Sequence, residues 1–296
     1  MIVPPTEGLR VARYAQGAGY SPDQWARALE GVDWSKAELL SDKPGSSVWR
    51  ATLVVQKRPQ ALVIKCEPID TLKRRVQVLL AKTHAHRHWR GAELLTRHGF
   101  RTAEPKAIVY GRRDGQTIEC LVMEALEGKT VLAWMSEASE FKQKAELCCA
   151  IGSYLSTMWR QGLTNRDGKP SNLMVIDGDE LRIALVDLVG VRRRAWIEEH
   201  DWHRACRDLM LEPFGCGVIP SRATRMRVCR RLHQELLAGS KHTPKTGQWR
   251  EFRDELWREV GWLIESHGDP TPEHDPLSRS GRLETGPAGG RASGGS

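Results

Sequence analysis

The feature that most limits what this chain can fold into is a polar segment near its middle, at residues 164–175. Four apolar residues before it recur at helical spacing: Leu147, Ile151, Leu155 and Met158. They predict a buried helix that ends near Gly162, and residues 173–176 predict a strand directly after the segment. A loop held between two such elements keeps its side chains in place, so Asp167 and Asn172 are candidate functional residues.

A second acidic residue, Asp187, lies fifteen residues after Asn172, near the end of an apolar strand predicted at residues 181–188. A carboxylate in such a place is costly to bury unless a cation pairs with it. A magnesium ion would provide that pairing, because it prefers the oxygen atoms of carboxylates and phosphates. Asp187 is therefore a candidate metal ligand.

Residues 165–172 read Asn-Arg-Asp-Gly-Lys-Pro-Ser-Asn and resemble the catalytic loop of the protein-kinase-like superfamily, H-R-D-x-x-x-x-N. The resemblance implies that Asp167 orients and deprotonates an attacking hydroxyl, and that Lys169 approaches the γ-phosphate of ATP. It also implies that Asn172 and Asp187 hold Mg²⁺ against the phosphates. The fold it implies is α+β and two-lobed, with a small antiparallel-sheet N-lobe and a mainly helical C-lobe.

Three further segments extend the resemblance to ATP binding. Lys65 ends the apolar strand 61–65 and matches the V-A-I-K lysine that meets the α- and β-phosphates. Residues 121–126 resemble the hinge between the lobes, where the backbone of Glu124 and Leu126 would take the adenine edge. Residues 41–49 take the place of the glycine-rich loop with a single glycine, so Gly45 and Ser46 are the phosphate-binding candidates.

The helix carboxylate that would pair with the strand lysine is ambiguous. His88 occupies the place where related sequences offer Glu, and Glu93 is the nearest carboxylate on the same predicted helix. Glu93 is chosen as the expected partner of Lys65. The neighbouring His84 and His86 are expected to be solvent-exposed together with His88, because only His84 and His88 share a helix face and no third metal ligand has the right spacing.

The pattern of the chain divides it into four parts. Residues 1–36 form an N-terminal extension with a helix start at Ser21, residues 37–126 the N-lobe and hinge, and residues 127–265 the helical C-lobe. Residues 266–296 are rich in Pro, Gly, Ser and Arg and are expected to be disordered. Within the N-lobe the order is two strands, a helix and two strands, with Asp114-Gly115 marking a hairpin.

A more specific resemblance rests on residues 89–105, where a helix ends in Gly99 and a Thr-x-x-Pro entry to a strand follows at Thr102. This pattern resembles the bacterial lipopolysaccharide kinase (Kdo/WaaP) family. No long activation segment follows Asp187, which argues against an ordinary protein kinase. The resemblance implies transfer of the γ-phosphate of ATP to a sugar hydroxyl of the lipopolysaccharide inner core or a similar glycolipid.

Two other functions stay open at this point. One is an atypical Ser/Thr protein kinase, and the other is a nucleotide-binding pseudokinase, suggested by the single glycine at Gly45 and by Asn165 in place of the loop histidine. The net charge of +8 also fits an anionic membrane surface, and nucleic acid is not expected as a partner. The expected location is cytoplasmic, with peripheral association to the inner face of the cell membrane as an option.

The remaining composition fits a cytosolic enzyme. Seven cysteines without a C-x-x-C pair indicate reduced thiols and neither a disulfide framework nor a zinc site. No apolar run approaches the roughly 20 residues that a membrane span needs. The first residues lack a basic region followed by an apolar core, so a secretory signal is not expected.

Overall fold

The computed structural model describes residues 2–16, 20–55, 58–137, 141–168, 172–176, 181–194 and 222–237, with a few residues of 251–258. The contacts within the chain divide it into two units. The first contains Met1–Glu127 and Ala184–Arg192, and the second contains Gly128–Ile183 and Arg193–Ser296. The tail predicted for residues 266–296 lies outside the described residues.

The first unit is built on an antiparallel sheet of six strands. The strands are β1 Glu7–Tyr14, β2 Glu38–Lys43, β3 Ser46–Val55, β4 Arg58–Pro68, β5 Pro105–Arg113 and β6 Gln116–Glu124. Their order in the sheet is β1-β5-β6-β4-β3-β2, so β4 and β6 lie at its centre. Two helices connect β4 to β5: α2 Leu72–Leu79 and α3 His84–Arg97. The α+β class is therefore confirmed, and the helix predicted between the strand pairs is present as two.

Local turn chemistry gives the sheet its register. Asp114 and Gly115 both have positive φ, 50° and 76°, and they join β5 to β6 with Arg113 opposite Gln116. Two central residues of this kind match the twist of a two-residue hairpin, and Asp-Gly is favoured there because each residue tolerates the left-handed region. The hairpin predicted at these two residues is confirmed.

The N-terminal residues complete this unit. Strand β1 pairs with β5 at the sheet edge, and helix α1, Pro22–Glu30, follows it. The predicted capping box is confirmed, because Ser21 and Gln24 each accept a hydrogen bond from the other's backbone N–H. Trp25 is almost fully buried in the same core cluster as Trp49 and central-strand residues of the sheet. The described residues of this N-terminal extension thus cover one face of the sheet and pair with its edge strand β5.

The second unit is mainly helical in its described part. Its strands and helices are β7 Gly128–Thr130, α4 Val131–Glu137, α5 Phe141–Arg160, β8 Leu163–Asn165, β9 Leu173–Ile176 and α6 Arg222–Leu237. Two short strands, β10 Arg182–Leu185 and β11 Val191–Arg193, carry the chain out of this unit and back into it. The buried helix predicted before Gly162 is confirmed, with Leu147 and Met158 fully buried on α5.

Close backbone contacts hold the second unit together. A Cβ on Gly128 would lie 2.1 Å from the carbonyl oxygen of Val175, so only glycine lets β7 pair with β9 in this way. A Cβ on Gly152 of α5 would lie 2.8 Å from Cβ of Arg231 on α6. These two glycines bring the backbone of β7 against β9, and α5 against α6.

We expect Trp25→Ala to lower the free energy of unfolding by about 3–5 kcal/mol, because it leaves a large cavity in the core. Chemical denaturation followed by circular dichroism measures the change. Glu30→Ala, on the exposed side of the same helix, is the control and should change stability little. If both variants unfold at the same denaturant concentration, the first 36 residues do not belong to the cooperative unit.

Candidate active site

Lys65 lies on a central strand of the sheet. On β4 it stands opposite Val48 of β3 and Leu121 of β6, and its chain neighbours Ile64 and Cys66 are fully buried on the other face. Because side chains alternate along a strand, Lys65 points away from that core. Its Nζ lies 3.7 Å from Oδ2 of Asp187. The two residues that the sequence predicted for phosphate and metal binding in the first unit form an ion pair.

The segment that carries Asp187 is anchored at Thr102 and has a hydrogen bond of its own around Asp187. Oγ1 of the buried Thr102 donates a hydrogen bond of 2.6 Å to the carbonyl oxygen of Leu185, and the two residues form a parallel bridge. The backbone N–H of Val189 donates to Oδ1 of Asp187 over 3.5 Å. Thr102 therefore positions Leu185, two residues before the candidate metal ligand Asp187. The sequence indicated Thr102 only as part of a family pattern.

Helix α3 approaches the same segment at Gly91. A Cβ at this position would lie 2.4 Å from the carbonyl oxygen of Leu188 and 3.0 Å from its Cβ. Real Cβ atoms do not come so near a backbone oxygen, so any other residue at 91 would push the segment or the helix aside. Gly91 therefore sets the distance between α3 and the residue that follows Asp187.

His88 is the most unusual group near this pair. It lies on the buried face of α3, and neither ring nitrogen has a hydrogen-bond partner in the described part of the chain. Burial lowers its pKa to about 4; the charge of Asp187 acts in the opposite direction, and that of Lys65 lowers it further. The imidazole is neutral at physiological pH, and it lines a small cavity together with Lys65.

The prediction that the three histidines are exposed is wrong for two of them. His86 and His88 are buried, and only the His84 side chain is substantially exposed. The reason is that α3 lays its first turns against the sheet. Thr83 Oγ1 lies 2.8 Å from Nδ1 of His86 and donates a hydrogen bond of 2.7 Å to Glu119 of β6.

His84 belongs to a second polar contact at the start of this helix. Its Nδ1 lies 2.9 Å from Oε2 of Glu67 on β4, and Arg74 of α2 donates to the same oxygen over 2.7 Å. Burial alone would raise the pKa of Glu67, but the hydrogen bonds from His84 and Arg74 lower it to about 2. The ionised Glu67 thus ties both helices to the sheet.

Glu93 is not the partner of Lys65, so that expectation is corrected. Its Oε1 accepts hydrogen bonds from Nη2 of Arg13 over 2.6 Å and from Nε1 of Trp89 over 2.9 Å. The guanidinium of Arg13 also lies 4.8 Å from the centre of the Trp89 ring. Strand β1 brings in this arginine, and Glu93 serves to hold β1 against α3.

The predicted hinge residues lie at the end of the central strand β6 and just after it. Glu124 ends the strand, its backbone N–H donates to Glu104, and its carboxylate accepts two hydrogen bonds from Arg101. Burial alone would raise the pKa of Glu124, but the Arg101 guanidinium lowers it overall. Leu126 is buried two residues further on. The Arg101 pair fixes the direction in which the chain leaves the sheet.

The predicted phosphate loop is a tight turn. Pro44 and Gly45 join β2 to β3, with Lys43 opposite Ser46 and with φ of +79° at Gly45. This φ strongly favours glycine, so Gly45 serves the turn itself. Directly after it, Ser47 and Trp49 bond the backbone of Ile2, which ties the start of the chain to β3. A two-residue turn is shorter than a glycine-rich flap.

In the second unit the polar loop holds Asp167 and Asn172 together. Asn172 Nδ2 donates to the backbone oxygen of Asp167 over 2.9 Å and to its Oδ2 over 3.2 Å. Asn165, in place of the family histidine, accepts from the backbone N–H of Asp167 over 3.2 Å and donates to its backbone oxygen over 3.3 Å. Lys169 lies outside the described residues.

Each unit, taken by itself, offers an oxygen atom of the kind that Mg²⁺ prefers. With Nδ2 of Asn172 directed at Asp167, Oδ1 is the atom of that amide able to ligate a cation, and Asp187 offers a carboxylate. Among the described residues no cluster of three or more His, Cys, Asp or Glu side chains is suited to holding a metal ion. Mg²⁺ is commonly bound by one or two carboxylates plus substrate phosphates, so such a cluster is not required.

The profile of the lipopolysaccharide kinase (Kdo/WaaP) family matches residues 66–215, just over half of the chain. The chain therefore belongs to this family, and the resemblance drawn from residues 89–105 is confirmed. Asp167, Asn172 and Asp187 lie within the matched range, and Lys65 directly precedes it. A search of curated proteins gives no significant match. Membership of a kinase family implies the use of ATP.

We expect Gly91→Ala to lower ATP turnover by about 10²-fold, because the added methyl group displaces the segment that holds Asp187. Turnover is measured by release of ADP, and circular dichroism checks that the helices are retained. Gly31→Ala is the matched control, since its Cβ would meet no atom nearer than 3.4 Å. Equal turnover in the two variants would show that the α3 contact does not position Asp187.

Proposed function

We propose that the protein is an ATP-dependent phosphotransferase that moves the γ-phosphate to a sugar hydroxyl of the lipopolysaccharide inner core or a similar glycolipid. Family membership supports the phosphotransferase class, and the glycolipid acceptor is the finer step of the proposal. The observation that carries it is the Asp167–Asn172 hydrogen bond in the loop where the family match and the kinase-like motif coincide. A two-lobed, kinase-like arrangement of the units is part of this proposal.

Asp167 is the proposed general base. As the acceptor oxygen attacks the γ-phosphorus, its proton passes to the Asp167 carboxylate and later to solvent. The new O–P bond forms while the bond between the γ-phosphorus and the β,γ-bridging oxygen breaks, and ADP leaves. Asn165 and Asn172 hold the backbone and carboxylate of Asp167, so the base is oriented before the acceptor binds.

Lys65, Asp187 and Asn172 are proposed to handle the triphosphate. Lys65 would bind the α- and β-phosphates, and Asp187 and Asn172 would hold Mg²⁺, which neutralises phosphate charge. Asp187 now pairs with Lys65 at 3.7 Å. The neutral His88 adds no charge that competes for either member of this pair, whereas a carboxylate at the same place would draw Lys65 towards α3. Lys169 is proposed to approach the γ-phosphate.

A pseudokinase is the second candidate, and the shape of the phosphate loop favours it. The turn at Pro44–Gly45 is too short to give the several backbone N–H groups of a glycine-rich loop. Against it stands the presence of all four polar residues that the chemistry needs: Lys65, Asp167, Asn172 and Asp187. Turnover decides between the two.

We expect Asp167→Asn to reduce phosphoryl transfer by about 10²–10⁴-fold while MgATP still binds, because the amide cannot take the acceptor proton. Transfer is measured with ATP labelled on the γ-phosphate, and binding by the thermal shift that MgATP causes. Asp23→Asn, an exposed position on α1, is the matched control. A wild-type protein that binds MgATP without turnover would establish the pseudokinase instead.

The acceptor class is tested by following the label in a cell-envelope extract. We expect the label in the glycolipid fraction, in a form that mild acid hydrolysis releases with the core sugars. Heat-treated extract and the Asp167→Asn protein are the controls. Label that enters serine or threonine of proteins would point to an atypical protein kinase and would contradict the sugar acceptor.

A further inference from the structure

Helix α2 turns most of its apolar side chains away from the protein. None of its residues is buried. Four large aliphatic residues at its surface are exposed by 78, 44, 85 and 56%: Leu72, Val76, Leu79 and Leu80. Their spacing of four, three and one places them within an arc of about 100° on one side of the helix. This apolar stripe has no role in the core of the unit.

The opposite side of α2 attaches it to the sheet. Arg74 donates to the buried Glu67 over 2.7 Å, and Gln77 and Val78 on the same side are partly covered. The helix ends in a Schellman motif: Lys82 N–H donates to Gln77 and Ala81 N–H donates to Val78, with φ of +50° at Ala81. The apolar stripe is therefore held in a fixed orientation.

The end of α2 is also fixed from α3. Nη2 of Arg90 donates a hydrogen bond of 3.0 Å to the carbonyl oxygen of Ala81, and its Nε donates to that of His86. A non-glycine residue at positive φ costs about 1–2 kcal/mol. The bond from Arg90 helps to offset that cost, and it brings the guanidinium beside the end of the stripe.

The surroundings of the apolar stripe are cationic. Residues 71–92 contain six Lys and Arg and no Asp or Glu. Lys73 and Arg75 are exposed on the two flanks of the stripe. Beside α2 an open groove carries four cations and no acidic side chain; its lining is Gln77, Lys82, Arg87, Arg90, Val189, Val191 and Arg192.

We propose that α2 and this groove form a docking surface for an anionic lipid bilayer. The apolar stripe enters the boundary between headgroups and acyl chains, while the flanking cations and the groove contact lipid phosphates. An amphipathic helix with aliphatic residues on one side and cations beside them has the composition of interfacial helices. No described helix is long and apolar enough to span a membrane, so the association inferred is peripheral.

The charge favours a bilayer over a protein partner. The apolar stripe covers about two helical turns, or about 12 Å, which is little area for a stable protein interface. The cations run from Lys73 and Arg75 beside the stripe along the groove to Arg192, and this distribution matches a continuous layer of phosphates. The purpose of this surface rests on the proposed function, because a glycolipid acceptor lies in a membrane.

The test is co-sedimentation of the full chain with vesicles. We expect binding to vesicles of equal parts phosphatidylcholine and phosphatidylglycerol, at least about tenfold tighter than to phosphatidylcholine alone. Leu72→Gln/Leu79→Gln should weaken binding at least about tenfold. Lys73→Gln/Lys82→Gln should do the same and should reduce the dependence of binding on salt.

Two matched controls test whether the location of the substituted residues matters, or only the loss of apolar side chains or positive charge. Val54→Gln replaces another exposed aliphatic residue, on β3, and Arg10→Gln/Lys142→Gln removes two exposed cations elsewhere. Both should bind anionic vesicles as the wild type does. Circular dichroism verifies the fold of each variant, and ATP turnover in solution should be unchanged in all of them.

Several results would overturn the docking surface. These are equal binding to neutral and anionic vesicles, unchanged binding of the leucine variant, or equal loss in the Val54 control. Concentration-dependent dimers that Leu72→Gln/Leu79→Gln dissociates, without vesicle binding, would assign the stripe to a second copy of the chain. Failure of the proposed function is distinguishable, because vesicle binding without ATP turnover would leave the docking surface standing.

Discussion

The contact between Gly91 of α3 and the backbone of Leu188 is the constraint on which the site in the first unit depends. It brings the segment 184–192 against a helix that is itself tied to the sheet through Thr83, Glu119 and Glu67. With Thr102 holding Leu185, Asp187 stands 3.7 Å from Lys65. Backbone packing therefore brings the two charged side chains together. A carboxylate that is to bind a metal ion has to be held in position in this way.

The buried His88 influences the electrostatics of that pair. A buried neutral imidazole leaves the charges of Lys65 and Asp187 to balance each other, since burial keeps its pKa near 4. Both of its ring nitrogens lack partners among the described residues, and such groups are costly to keep unless something at a functional site uses them. Glu93 cannot substitute, because it binds Arg13 and Trp89 on the other side of the helix.

The sequence predicted structures that depend on neighbouring residues, but it did not predict pairings between distant parts of the chain. The Asp114-Gly115 hairpin, the Ser21 capping box and the α5 periodicity each depend on residues a few positions apart, and all three are confirmed. The strand β1 was missed, since two arginines and a glycine mask its pattern and its pairing with β5 spans about a hundred residues. The same pairing delivers Arg13 to Glu93, which is why the sequence assigned Glu93 to the wrong partner. Gly91 gives no signal in the sequence, because glycine is required there only by the close contact with the backbone of Leu188 in the folded chain.

The break between α2 and α3 explains why the exposure of the histidines was wrongly predicted. It also explains why the first unit has an exposed apolar stripe. A single helix between the strand pairs, as the sequence predicted, would place histidines and leucines on common faces. The left-handed residue Ala81 ends the first helix, and the second helix then runs in a new direction. As a result α3 turns His86 and His88 inward, while α2 turns its leucines outward. Folding accounts for the buried histidines through their contacts with the sheet and the site. It does not account for four exposed aliphatic residues among cations, which cost solubility and add nothing to the core. Arg74 and Arg90 hold this apolar and cationic surface in place. The binding of an anionic bilayer is the explanation that we propose for it.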